Sequence, residues 1–342
     1  MKGDEYLKKK REDYLHSPVS QPSVRKLRGI GDYVNAFSNM SFQARALGEG
    51  AKILLEMVKA SNCLKTLTIA GAPVPGGLQG VICDLIELKF IDVIITAGSQ
   101  IAHDMVEALG FSHYKGHHMM NDLELRDLRI DRMYDSLLDE TKLNEVDLLL
   151  NELWGQEGSG IISTPELCKR IATYILGKGL YKGQSFVVSA LKSGIPIFSP
   201  TIHDSEIGIS LTTFNKKHPK KRIVVDLLLD NEKYIEIFSD RKYKKRGILI
   251  LGGGVPRNWA QQVTPMIEFI KHGVQILEDR EIGYNYGVLI TTDQPQFGGL
   301  SGSTLDEAIS WNKYAPQARF ATVHCDMTIA LPIMVGAVKE WL

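Results

Sequence analysis

The chain lacks most of what would mark an extracellular, membrane or nucleic-acid protein. Its four cysteines, at positions 63, 83, 168 and 325, are scattered and form no C-x-x-C pair. They supply neither a disulfide framework nor a zinc ribbon, and are expected to be reduced and buried. Excess charge is missing too: 40 Lys and Arg balance 40 Asp and Glu, so no long-range field gathers nucleic acid or an anionic membrane. No segment reaches roughly eighteen uninterrupted apolar residues, and "MKGDEYLKKKREDYLHSPVSQPSVRKL" holds no apolar run resembling a signal peptide. A soluble, cytoplasmic enzyme or binding protein is the expectation. The fingerprint G-x-G-x-x-G is absent, as is H-E-x-x-H, so metal catalysis is not expected.

What is present is alternation. "VNAFSNMSFQARALGEGAKILLEMVKAS" carries apolar residues at helical spacing and predicts one or two helices ending near Ser61 and Asn62. "LKTLTIAGAPV" and "FIDVIITAGS" are short β-rich runs, and "LQGVICDLIELKF" between them reads as a helix. After a polar, helical middle come "SFVVSALKSGIPIFSP", "RIVVDLLLDNEKYIEIFSD", "RGILILGGGVP", "YGVLITTD" and "FATVHCDMTIALPIMV", strands or buried helices separated by turn residues. Nearly continuous apolar strands joined by helices imply a parallel sheet covered on both faces. The expected architecture is a doubly wound, mainly parallel, Rossmann-like α/β domain over residues 26–342. N-terminal helices pack on it, and residues 1–25 form an N-terminal extension.

In such a sheet ligands lie beyond the carboxyl ends of the strands. The segments there, "AGAPVPGG", "TAGS", "SPTIHDSE", "GGGVP", "TTDQPQFGGLSG" and "HCDMT", are small or hydroxyl-bearing and repeatedly include a carboxylate. Singly, each is an ordinary turn. Jointly they suit a dinucleotide, with amides for phosphate and Asp204, Asp293 or Asp326 for ribose hydroxyls. Each Asp taken alone has a plainer reading, as a cap or turn carboxylate. His103, His203 and His324 fall near strand ends and His117 and His118 in "GHHMM". Hydrogen-bonded histidines are the default for them.

Behind the glycine-rich run stands "EAISWNKYA". Helical spacing places Glu307, Trp311 and Tyr314 on roughly one face, with Ser303 or Thr304 able to cap the N-terminus. On that spacing alone, Lys313 reads as a solvated helix residue.

Together, "SFQARALGEG", "DVIITAGSQIAHDM", "IPIFSPTIHDSEIG", "ILILGGGVPRN" and "GGLSGSTLDEAISWNK" resemble, in order and separation, the deoxyhypusine synthase family and particularly its deoxyhypusine synthase-like members. The resemblance runs from about residue 25 to the C-terminus, and its most specific stretch is the S-W-x-K motif of Ser310, Trp311 and Lys313. It implies NAD-dependent transfer of an aminobutyl group from a polyamine through an imine on Lys313. Trp311 would wall the channel and Glu307 would anchor an amine, with Asn258, Gly298, Gly299, Leu300 and His103 also around the substrate. NAD would touch Ala70, Gly71, Ala72, Pro73, Val74, Thr96, Ala97, Gly98, Asp204, Gly253, Thr292, Asp293, Asp326 and Met327. A homotetramer with sites at subunit interfaces is also implied, the N-terminal segment of one chain covering a neighbour's site.

The chain departs from the family pattern where polyamine-binding carboxylates and a histidine are expected. Ile209, Phe297, Leu300 and Asn258 stand there, and His103 replaces a glutamate. A pocket with fewer carboxylates attracts a trication less, so the donor or acceptor is expected to differ from spermidine and a protein lysine. A homospermidine-synthase-like enzyme with a free diamine acceptor is one alternative, and a non-catalytic NAD-binding protein another. A sirtuin-like deacylase, suggested by "TAGS", lacks the paired zinc cysteines that class needs.

Overall fold

The computed structural model describes residues 2–272 and 282–342. At its centre lies a six-stranded sheet. Its strands are β1 (Cys63–Ile69), β2 (Val93–Thr96), β3 (Ile197–Phe198), β4 (Lys245–Leu251), β5 (Tyr284–Thr291) and β6 (Tyr314–His324). Their spatial order is β3-β2-β1-β4-β5-β6, with every pairing parallel. This is the doubly wound arrangement expected from the alternating apolar runs.

The strands are apolar on both sides because both sides are covered. In β4, Leu249 and Leu251 join one core, with the helices Phe42–Lys59, Gln79–Glu87, Gly98–Ala108 and Met327–Trp341. Ile248 and Ile250 point the other way, into a second core with Tyr234, Phe238, Ala260, Val263 and Ile267. Period-two alternation thus divides a continuous apolar run between two layers. The helices expected before β1 form as Ile30–Phe37 and Phe42–Lys59, and "LQGVICDLIELKF" forms Gln79–Glu87.

Two mixed segments resolve as strand plus helix. "SFVVSALKSGIPIF" gives the helix Phe186–Ser193, ended by left-handed Gly194, and then β3. "RIVVDLLLDNEKYIEIFSD" gives Ile223–Val225, paired with Gly160–Ile162, and then the helix Leu227–Ser239. The polar middle is helical in Glu140–Gln156 and Thr164–Gly177. It also holds an unforeseen three-stranded antiparallel sheet of Tyr114–Lys115, Ile130–Met133 and Ser136–Asp139. Polar, short, half-exposed strands of this kind carry little apolar alternation to announce them. Lys2–Tyr14 is a helix, exposed over residues 6–14, and among the described residues no helix is long and apolar enough to cross a membrane.

In the sheet order the chain reverses direction between β1 and β4. At such a switch point the connections leave to opposite sides and open a crevice at the carboxyl ends of the strands. Residues 70–74 follow β1 and residues 252–254 follow β4, so two of the small-residue loops meet there.

Candidate active site

Lys313 does not lie on a helix. The helix expected to carry it spans only Glu307–Ser310, with Trp311 as its C-cap. Asn312 then adopts φ 56°. A short polar residue tolerates this left-handed turn, and its side-chain amide is held by Glu268. The Lys313 amide donates to the Ala308 carbonyl at 3.1 Å, while its carbonyl accepts from Tyr284 N at 3.0 Å. The turn is therefore tied to the sheet, and Lys313 enters the site from the foot of β6. Helical spacing misled here because Glu307 lies in a single helical turn, Trp311 caps it and Tyr314 already begins β6. The expected cap is realised in part: Thr304 Oγ1 accepts from Glu307 N at 3.1 Å.

The lysine is 9 % exposed, and its Nζ donates to Asn258 Oδ1 at 2.9 Å. Burial lowers its pKa from the ordinary lysine value, and the neighbouring Arg257 guanidinium lowers it further, while Glu307 opposes both. Desolvation and a like charge both favour the neutral, nucleophilic amine. The Nζ also lies 5.9 Å from the centroid of the Trp311 ring, whose side chain is otherwise largely exposed. Around these groups opens a cavity of about 400 Å³, lined by Asn258, Gly298, Gly299, Leu300, Glu307, Trp311 and Lys313 among others. Among the described residues lining it, Glu307 is the one carboxylate.

A second cavity, of about 420 Å³, lies at the switch point. Ala70, Gly71, Thr292, Asp293, Asp326 and Met327 line it, together with Gly252 and Ser301. Ala72 and Pro73 line an adjoining recess of about 270 Å³, which shares Asp326 and Met327 with it. Consecutive residues Leu300 and Ser301 line the first and second cavities respectively, so one thin segment separates them.

Two glycines let main chains approach closely at the second cavity; Gly252 lines it, and Gly253, which does not, stands next to it in the chain. Gly253 has φ 115°, and a Cβ there would lie 2.8 Å from Ser301 Cα. Gly252 has φ 77°, and a Cβ there would lie 3.0 Å from the Ala70 carbonyl oxygen. Only glycine accepts such backbone angles with another main chain so close. The helix Gly254–Gln261 begins at once, with no side-chain cap on its first turn. Asp326 Oδ1 accepts from Thr328 N at 2.8 Å, so it does act as a helix cap. Glycine loops, a helix N-terminus and carboxylates from two strand ends fit a dinucleotide.

The remaining candidates stand apart from these cavities. Val74 is buried, its amide donating to Gln100 Oε1 at 3.1 Å. Thr96 is buried at the end of β2, and Ala97 and Gly98 open the helix Gly98–Ala108. Asp204 is exposed, and neither it nor residues 96–98 line either cavity. His103 does not line the Lys313 cavity. Its Nδ1 lies 3.0 Å from His113 Nε2, and His113 Nδ1 lies 2.7 Å from Glu107 Oε1, so it behaves as a hydrogen-bonded histidine. Ile209 and Phe297 are exposed and do not line the cavity, whereas Leu300 does.

Sequence reading missed Gln100 and Arg257. Gln100 Nε2 donates to the Gly71 carbonyl at 2.9 Å while its Oε1 accepts from Val74, pinning the first loop to the helix after β2. Both lie within stretches that carry the family resemblance, "DVIITAGSQIAHDM" and "ILILGGGVPRN", but local order assigns neither of them a task. Only a long-range contact gives them a role.

The chain's relatives agree with this architecture. The family model "Deoxyhypusine synthase" matches residues 32–338. "Probable deoxyhypusine synthase 2" of Archaeoglobus fulgidus is 38% identical over 293 residues, covering 86% of this chain and 92% of that protein. "Deoxyhypusine synthase-like protein" of Chlorobaculum parvum is 34% identical, covering 94% and 89%. A crystal structure described as a "putative deoxyhypusine synthase" from Entamoeba histolytica has a TM-score of 0.60 at 16% identity, covering 94% of this chain and 97% of that one, and supports the fold. With a family model and several relatives matched along nearly its whole length, the chain belongs to the deoxyhypusine synthase family.

Proposed function

We propose that the chain is an NAD-dependent transferase that moves an aminobutyl or related alkylamine group from a polyamine to an amine acceptor through an imine on Lys313. The observation that carries this reading is the buried Lys313 amine, held at 2.9 Å by Asn258, with its pKa lowered by burial and by Arg257.

Ala70, Gly71, Gly253, Thr292, Asp293, Asp326 and Met327 would hold NAD, whose chemistry when bound is reversible hydride acceptance. Lys313 contributes a neutral amine that captures the oxidised donor carbon by transimination, expelling the donor's leaving amine. The acceptor amine then attacks the same carbon and releases Lys313, and return of the hydride first taken from the donor would reduce the resulting imine to a secondary amine. Asn258 orients the nucleophile, Trp311 offers its π face to an alkyl chain or ammonium, and Glu307 anchors a distal amine. Closure of a neighbouring subunit over the cleft, in a homotetramer, accords with the exposed Trp311, Phe297 and Leu300, which expose apolar surface beside it.

A free diamine acceptor, as in a homospermidine-synthase-like enzyme, is favoured by the single carboxylate among the described residues that line the Lys313 cavity. A protein acceptor would present one lysine, a diamine would present two amines to one carboxylate and one π face.

The test is incubation with NAD and spermidine, putrescine or agmatine, then borohydride and intact-mass measurement. An adduct at Lys313 is expected, and transferred product on putrescine rather than on protein would select the diamine reading. A chain that binds NAD and amine yet never forms the adduct would be a non-catalytic binding protein.

A further inference from the structure

Arg257 is the largest charged side chain fully buried beside the cleft, with 1 % exposure. Its Nη1 donates to the Ser303 carbonyl at 2.8 Å and its Nη2 to the Thr304 carbonyl at 3.3 Å. Among the described residues it has no salt bridge within 4 Å. A guanidinium buried without a close counter-ion is costly, and a fold that only needed two carbonyls satisfied could use a neutral donor. The charge itself calls for a role.

Its position offers one. Arg257 precedes Asn258 in the first turn of the helix Gly254–Gln261, so the residue that accepts from Lys313 and the residue that repels its ammonium are neighbours. Ser303, one of its two anchors, lines the same cavity as Lys313. Among the described residues, the other charged groups near the lysine are Glu307 on the preceding turn and Glu268, which is engaged with Asn312. Tyr314, next in the chain, is buried, and burial pushes its phenol far above neutrality, so it adds no charge.

We infer that Arg257 is a positioning residue for Lys313: it clamps the turn at Ser303 and Thr304 and sets a fixed cation beside the amine, so that the amine is presented uncharged. A like charge nearby destabilises the ammonium without touching the free base. Lysine at the same place would keep the charge and lose the two-pronged clamp. The catalytic meaning of this device rests on the proposed role of Lys313, but the protonation effect does not.

The experiment is competitive trace labelling of Lys313 with acetic anhydride across pH, read by peptide mass spectrometry, in the wild type, Arg257→Gln, Arg257→Met and Arg257→Lys. It needs neither NAD nor an amine substrate, so its failure is separable from failure of the transfer reaction. The labelling midpoint should rise by about half a pH unit or more in the Gln and Met variants and stay near the wild-type value in the Lys variant. An unchanged midpoint in folded Arg257→Gln or Arg257→Met would overturn the inference. So would loss of folding in both, which would make Arg257 a structural residue.

Discussion

The Nζ of Lys313 and the Oδ1 of Asn258 lie 2.9 Å apart, although the residues come from different strand-to-helix units. An amide oxygen can accept from either the ammonium or the free amine, so this contact orients the nucleophile without forcing it to stay charged. A carboxylate in the same place would favour the ammonium.

Asn258→Asp should therefore raise the Lys313 pKa and move the alkaline rise of adduct formation to higher pH by about one unit. Asn258→Ala should leave that midpoint nearly unmoved and reduce the rate by roughly tenfold, through lost orientation. Borohydride trapping as a function of pH separates the two outcomes.

Lys313→Arg should abolish the borohydride adduct while leaving dinucleotide affinity within about twofold, because Lys313 lines one cavity and Ala70, Gly71 and Gly252 line another. Titration of NADH fluorescence alongside intact mass checks both halves.

Gly253→Ala should damage the second cavity selectively. The added methyl would meet Ser301 Cα at 2.8 Å in a backbone conformation with φ 115°. A strain of about 1–3 kcal/mol follows, and either the 252–254 loop or the Leu300–Ser301 segment must move. A lower melting temperature and NADH affinity reduced tenfold or more are expected.

Gln100→Ala removes both ties to the first loop, to Gly71 and to Val74. Two lost hydrogen bonds at part-buried and buried groups should cost about 1–3 kcal/mol. Hydrogen exchange should quicken at Val74, and NADH should bind more weakly with Lys313 labelling unchanged.

His103 gives a pH signature. Burial, with His113 beside it, lowers its pKa from 6.5 to about 4. Above pH 6.5 neither the folded nor the unfolded chain protonates it, and its contribution is fully present. As pH falls from 6.5 toward 4 the unfolded chain takes up a proton that the folded chain refuses, so stability is lost across that window. His103→Asn should flatten this part of the melting-temperature profile relative to wild type.

The sequence by itself determined the doubly wound sheet, because continuous apolar strands such as "GILIL" can be stable only when covered on both faces. It also placed the loops, since small residues after each strand mark where a crevice can form, and its motifs carried the family. It could not determine what Lys313 faces. Helical spacing reported local periodicity, whereas the lysine's environment is made by Asn258 and Arg257, more than fifty residues earlier in the chain. Tertiary structure likewise decided that Ala70 and Asp326 share a cavity while Asp204 and His103 stand outside both cavities. Residue types and their local order fix which segments become strands and loops. Which side chains meet, and so which amine loses its proton, depends on contacts between segments that no single stretch of sequence contains.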